Sequence, residues 1–273
     1  MTARRRKPLR IGLIGWGAIN RHVVRLLSRS AVAEAVSIVA ISVRSPERAQ
    51  DIPADASLLT DPQQLAGLDL DIVAEAAGQP AVALWGESAL RQAGAFAVTS
   101  AGALAHTALL ERLISVAEAA GSQLVVTSGA LAGIDALAAA SALPLDEVVH
   151  AIVKPPAAWR GTPAESLVPL DALTAPASFF IGSAREAARR FPQNANVAVI
   201  SALAGIGLDR TRVELIADPG IAENCHRLSA HGAFGRLSVT IENSPLADNP
   251  KSSEMAALSL VRMISNSVSP LCR

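Results

Sequence analysis

An α/β fold, a doubly wound parallel sheet followed by a second α+β domain, is what the 273-residue sequence predicts. Three features carry that expectation. A short apolar run, Leu9 to Ile14, leads at once into Gly15-Trp16-Gly17 and an amphipathic helix. Further apolar runs alternate with helical patterns as far as Thr127, with Gly or Ser at their C-terminal ends. Beyond Ser128 the alternation stops, and helices are followed by three consecutive strand-like runs.

Taken in order, Leu9–Ile14 reads as a strand buried on both faces, because its apolar residues are continuous and not alternating. In the helix behind it, Ile19, Val23, Leu26 and Leu27 fall at helical spacing, with Arg21, Arg25 and Arg29 on the other side. Strand, two-glycine turn and helix make the Rossmann-type signature for a dinucleotide. The first glycine permits the tight turn. The second lets backbone approach a pyrophosphate at the helix N-terminus, where Ala18 and Ile19 begin. The third motif position holds Asn20 in place of glycine or alanine.

Val36–Val43 is a second buried strand, and Ser45-Pro46-Glu47-Arg48 then predicts a helix with Ser45 as N-cap and Pro46 in its first turn. NAD-selective folds place an acid at the end of this strand to hold the ribose hydroxyls. No acid occurs from Val36 to Arg44; Arg44 stands there instead and suits a 2′-phosphate, the plain alternative being an exposed loop arginine. Asp69–Ala76, Ala95–Thr99 and Gln123–Thr127 are further strands, making five, with helices over about 81–93 and up to about 120. This arrangement places a ligand along the C-terminal edge of the sheet. Glu75, inside an apolar strand, is costly to bury alone and is read either as lying at the cofactor edge or as a satisfied structural carboxylate.

In the second half, a helix over 134–142 precedes Asp146–Lys154, which alternates like a strand with one wet face and breaks at Lys154-Pro155-Pro156. Helices follow around 183–191 and 196–206, then strands at 212–217, 225–230 and 235–242, and a last helix over about 252–264 that returns to the nucleotide domain. The domains are accordingly 1–128, completed by 249–273, and 129–248.

Lys+Arg and Asp+Glu both total 24, which gives no reason to expect nucleic acid or a membrane surface. Cys225 and Cys272 have no metal or redox spacing, so no metal is expected, and a reducing cytoplasm fits better than a disulfide framework. The basic tip Met1-Thr-Ala-Arg-Arg-Arg-Lys imitates a signal n-region but lacks a cleavage pattern behind it, and reads as a solvated terminus. No apolar span reaches membrane length.

Of five histidines, four read as structural: His22 on the polar side of the first helix, His106 opening a helix, His150 on a half-exposed strand and His231 in a loop. His226 differs. It starts a strand after a turn, and Asn224, two residues earlier, points to the same face. Such a pair either grips a small polar substrate or is a satisfied surface pair.

Several segments together resemble the L-aspartate dehydrogenase family: Gly15-x-Gly17, Thr127-Ser128-Gly129-Ala130-Leu131-Ala132-Gly133-Ile134-Asp135, Lys154-Pro155-Pro156 and Phe191-Pro192-Gln193-Asn194-Ala195-Asn196. So do Asn224-Cys225-His226, His231-Gly232-Ala233-Phe234-Gly235 and Asn249-Pro250-Lys251-Ser252-Ser253. The resemblance implies reversible oxidative deamination of L-aspartate to oxaloacetate and ammonia through iminoaspartate, with NAD or NADP, in a cytoplasmic homodimer that feeds pyridine nucleotide synthesis. It implies His226 as acid/base with Asn224 beside it, and Ala130 and Asn196 against the nicotinamide cofactor. The departures are Asn20 and Ala132, where glycines are usual. The two carboxylates of aspartate need cationic or multi-donor partners, for which Lys154 and Ser128 are candidates, an exposed strand-end lysine being the equal alternative for Lys154, while Lys251 and Ser252 fit a cap on the last helix.

Two other readings compete. A homoserine dehydrogenase or dihydrodipicolinate reductase relative would share the nucleotide half but leave Asn224-Cys225-His226 without a role. A non-catalytic NAD(P)-binding sensor would hold cofactor and turn over no amino or oxo acid.

Overall fold

The computed structural model describes residues 7–272, and the side chains of Arg48, Pro250 and Lys251 lie outside the described set. The basic tip up to Arg6 and the Lys251 side chain therefore fall outside the described residues. The expected Ser252 cap is not formed: the Ser253 hydroxyl accepts from the Met255 amide at the start of the last helix, while the Ser252 hydroxyl accepts from the Asn249 Nδ2. The chain divides into two units, one running to Thr127 and resuming at Ala256, the other Ser128–Met255.

In the first unit the elements run β1 (Leu9–Ile14), α1 (Ala18–Ser28), β2 (Val36–Ser42), β3 (Ser57–Leu59), β4 (Leu70–Glu75), α2 (Gln79–Gln92), β5 (Ala93–Val98), α3 (Thr107–Ala120) and β6 (Gln123–Val126). The six strands form one sheet in the order β3-β2-β1-β4-β5-β6, and every neighbouring pair is parallel. This is the doubly wound Rossmann order, with its direction of winding reversing between β1 and β4, and ligands of such sheets bind beyond the strand ends at that point. The continuous apolar runs are explained by burial: Ile11 to Ile14 of β1 and Ile72 to Glu75 of β4 are all buried.

Two details differ from expectation. The sheet has a sixth strand, β3, whose Ser-Leu-Leu is too short to show a period. The helix expected after β2 is only a three-residue 3-10 turn, Pro46–Arg48, and the Ser45 side chain makes no capping hydrogen bond. Asp51 with φ 56° and Pro53 follow closely, so the backbone cannot continue as a helix.

The second unit contains α4 (Ile134–Ala140), β7 (Leu145–Lys154), β8 (Ala177–Ser183), α5 (Ala184–Arg190), α6 (Ala195–Ala204), β9 (Arg212–Ala217), β10 (Asn224–Gly232) and β11 (Gly235–Asn243). A small ribbon, β12 (Pro245–Leu246) with β13 (Asn249–Ser253), closes it. The main sheet runs β11-β10-β7-β9-β8, with β7 and β9 parallel and the remaining pairs antiparallel. Edge strand β8 has no counterpart in the sequence reading. Its adjacent Phe179 and Phe180 obscure alternation, and the register shifts between Ser178 and Phe180. Helix α5 opens with a capping box, Ser183 accepting from the Glu186 amide while Glu186 reaches back to the Ser183 amide.

Helices cover one face of this sheet, and that face decides where the polar residues lie. Leu137 and Ala140 of α4 pack with Val148, Leu228 and Ala230 in one apolar cluster. Because side chains alternate along a strand, His150, Ile152 and Lys154 share the face of Val148, and His226 shares that of Leu228 and Ala230. His150 is therefore fully buried and not half-exposed. The expected wet face is the other one, which carries Glu147, Val149 and Ala151. His231 is likewise not in a loop: it lies in β10 opposite Arg236, 3.5 Å from Asp146 and 3.4 Å from Glu147. The last helix, α7 (Glu254–Val268), places Ala257, Leu260 and Ile264 in the same core cluster as Ile11, Leu13, Val23, Ile41 and Ile72 of the first unit.

Candidate active site

At the C-terminal end of β1, Gly15 adopts φ +89°, and a Cβ built on it would lie 2.7 Å from the Ala77 Cβ. Only glycine meets both conditions. Gly17, the N-cap residue of α1, is exposed; nothing lies within 4 Å of where its Cβ would be, and no side chain caps the helix. Helix amides, open space and no acidic residue in the first turn form a cradle that fits a pyrophosphate. Ala18 and Ile19 supply the first helical amides. Asn20 is buried and donates from Nδ2 to the carbonyls of Ile14 (3.1 Å) and Gly15 (2.7 Å). The departure at the third motif position thus tethers the turn from inside the helix.

Glu75, at the end of β4, is both edge residue and satisfied structural carboxylate. It accepts from the amides of Ala77 (2.6 Å), Gly78 (2.9 Å) and Ser100 (3.0 Å) and from the Ser100 hydroxyl (2.8 Å). Burial pushes its pKa up, and these donors pull it back toward the carboxylate. Arg44 follows β2 by two residues and is exposed.

The second unit holds the titratable cluster. In the antiparallel pairing of β10 with β7, His226 stands opposite Ile152, so His150 and Lys154 are its two diagonal neighbours on the same face. The His226 Nδ1 lies 3.2 Å from the His150 Nε2, and the His150 Nδ1 lies 2.9 Å from the Ser201 hydroxyl of α6. Burial holds the His150 pKa down to about 4. Burial, then the charges of His150 and Lys154, hold that of His226 well below the ordinary imidazole value. Both rings are therefore neutral at neutral pH.

Lys154 bonds the buried Asn194 Oδ1 and sits 5.2 Å from the ring centre of Trp159, so it is partly buried and not an exposed strand-end lysine. Burial lowers its pKa to about 8. Asn224 is partly buried on the His226 face, and Asn196 opens α6, which brings Ser201 to His150. The Ser128–Gly133 turn is fixed by Gly129 at φ +56° and Gly133 at φ +71°. It is held by Asn243, whose Nδ2 donates to the Ala130 carbonyl at 3.0 Å while its Oδ1 accepts from Ser253 at 2.8 Å. Two imidazoles and an ammonium, with no metal-holding group of three ligands among the described residues, suit proton transfer and anion binding.

The structure thus brings Lys154, Asn224 and His226 onto one sheet face, and adds His150, Asn194 and Ser201, which sequence reasoning missed. A signal existed for His150: it precedes Lys154 by four residues on one strand, so the two share a face. The register that sets both diagonal to His226 is not visible in either strand alone.

Comparison with known proteins matches most of the chain. Residues 15–127 match the family described as homoserine dehydrogenase, NAD binding domain, and residues 135–267 match aspartate dehydrogenase, C-terminal. An L-aspartate dehydrogenase of Brucella anthropi is 51% identical over 258 residues, covering 94% of this chain and 96% of its own. The Pseudomonas aeruginosa L-aspartate dehydrogenase is 42% identical over 262 residues, with 94% and 97% covered. Among solved structures, the aspartate dehydrogenase of Thermotoga maritima superposes with TM-score 0.78 at 25% identity over 96% of this chain and 98% of that one. A hyperthermophilic archaeal homoserine dehydrogenase in complex with NADPH shares the fold at TM-score 0.62 and 10% identity, over 97% of this chain and 100% of that one. With a nucleotide-binding sheet in one unit, a buried histidine cluster in the other, and these likenesses over nearly its full length, the chain belongs to the L-aspartate dehydrogenase family of NAD(P)-dependent enzymes.

Proposed function

We propose that this protein catalyses the reversible NAD(P)-dependent oxidative deamination of L-aspartate to oxaloacetate and ammonia. The observation that carries the reading is a buried, neutral His226 flanked on one sheet face by a second neutral imidazole and a cation. A nicotinamide cofactor, when bound, would supply the redox chemistry as the hydride acceptor. Gly15, Gly17, Ala18 and Ile19 would hold its pyrophosphate, Arg44 would meet the ribose side, and Ala130 and Asn196 would orient the nicotinamide. The protein's task is then protons and position. His226 takes the proton of the water that attacks the imine carbon and returns one to the departing ammonia. Asn224 orients the substrate beside it. Lys154 and Ser128 hold a carboxylate, Lys154 as an ammonium whose attraction for an anion is greater where water is partly excluded. The same reading includes a cytoplasmic homodimer.

Consumption of reduced cofactor with oxaloacetate and ammonia tests it, set against pyruvate and 2-oxoglutarate. Pyruvate lacks the second carboxylate and would leave a partly buried cation unpaired, so kcat/KM should favour oxaloacetate by at least roughly a hundredfold. With Arg44 in place of an acid, NADPH should serve at least comparably to NADH. Equal rates with all three oxo acids, or none with any, would sink the proposal.

Lys154→Met should raise the KM for oxaloacetate at least about tenfold with a smaller change in kcat. A lysine with pKa about 8 is charged below that pH and loses its charge above it. Substrate affinity in the unmodified enzyme should therefore weaken above about pH 8, and the variant's should not follow. A KM unmoved by the substitution would remove Lys154 from the substrate site.

A further inference from the structure

We propose that Ser201 and His150 are positioning residues that fix the tautomer of His226, leaving its Nε2 with the lone pair in the resting protein. The inference deepens the acid/base reading of His226 and rests on it. It follows from counting protons along a buried chain of hydrogen bonds.

Ser201 has one hydroxyl proton, and it donates that proton to the Ala198 carbonyl at 3.0 Å within α6, the back-bond that serine makes in helices. Its oxygen can then meet the His150 Nδ1, 2.9 Å away, only as an acceptor, so that nitrogen is N–H. The His150 ring is neutral, and its Nε2 therefore has a lone pair. The His226 Nδ1 lies 3.2 Å from that lone pair and must donate to it. His226 is neutral too, which leaves Nε2 bare and basic. Ser201 and His150 are fully buried and His226 is 4% exposed, so bulk water offers no alternative partners. Reversing the polarity would require the serine to give up the Ala198 carbonyl.

The arrangement also accounts for the proton that the reaction delivers. When Nε2 gains a proton, the Nδ1 proton can move to the His150 Nε2, so one positive charge is shared by two rings and nothing else is taken up. The same proton leaves from Nε2 in the reverse step, and the chain returns to its starting polarity.

Nitrogen-15 spectra of protein labelled at histidine distinguish the two tautomers, and single His→Gln variants assign the signals. In the unmodified protein at neutral pH, both His150 and His226 are expected to carry the proton on Nδ1. Ser201→Ala removes the acceptor. His150 should then shift toward Nε2–H, drive His226 to Nε2–H, and lower kcat by on the order of tenfold or more, with cofactor affinity unchanged. His150→Gln, whose side-chain oxygen replaces the Nε2 lone pair, should keep His226 on Nδ1–H. Protonation of His226 on Nε2 in the unmodified protein, or a tautomer that Ser201→Ala leaves unmoved, would overturn the inference. The unmodified spectrum decides alone if a variant does not fold. A His226→Ala variant that loses turnover, beside a resting Nε2–H tautomer, would keep the acid/base role and discard the relay.

Discussion

His226→Ala is expected to lower kcat in both directions by at least about a hundredfold, with Kd for NAD(P) within a factor of about two of the unmodified enzyme. A positioned general acid/base contributes typically ~10²–10⁴ in rate, and a group acting only on the reacting centre is lost from kcat and not from cofactor affinity. Titration of cofactor fluorescence beside steady-state rates separates the two. Turnover within tenfold of normal would remove His226 from the mechanism.

The pH dependence gives an independent check on the same residue. The imidazole must be neutral to act as a base, and burial, His150 and Lys154 all hold its pKa down. The acid limb of kcat/KM for aspartate oxidation should therefore fall well below the ~6.5 of an ordinary histidine. Removing one of the opposing charges must move it back. Lys154→Met should shift that limb upward, toward the ordinary value, while it weakens substrate binding.

Much of this was legible in the chain. Gly15-x-Gly17 between an apolar strand and an amphipathic helix is a local pattern, and each element needed for it sits within twenty residues. The continuous apolar strands likewise announce a sheet covered on both faces. What escaped the reading depends on partners distant in sequence. Asn20 looked like a defect in the motif, yet its amide bonds two carbonyls of the turn it follows. His150 looked half-exposed because β7 alternates imperfectly, with Val149 and Ala151 between polar and buried positions. Its true face depends on which side of the sheet α6 covers. Strand β3, paired for only three residues, and edge strand β8, irregular in register, owe their form to their neighbours and not to their own period.

The two glycines at the end of β1 should respond in opposite ways to the same small change. Gly15→Ala places a methyl group 2.7 Å from the Ala77 Cβ and 3.1 Å from its Cα, on a residue at φ +89°. The neighbouring atoms are a short side chain and backbone and cannot rotate away. Positive φ costs about 1–2 kcal/mol and overpacking typically about 1–3 more, so stability should fall by about 2–5 kcal/mol. For a unit of this size that is a Tm lower by roughly 5–15 °C. Gly17→Ala adds the same methyl group where nothing lies within 4 Å and φ is −84°, so Tm should stay within about two degrees. The methyl group instead enters the cradle before α1, where backbone must approach the pyrophosphate, and Kd for NAD(P) should rise at least about tenfold. Thermal melts and cofactor titrations on both variants separate the roles. A Gly17→Ala protein that binds cofactor normally would mean that the pyrophosphate does not lie at this helix end, whatever the stability of its neighbour.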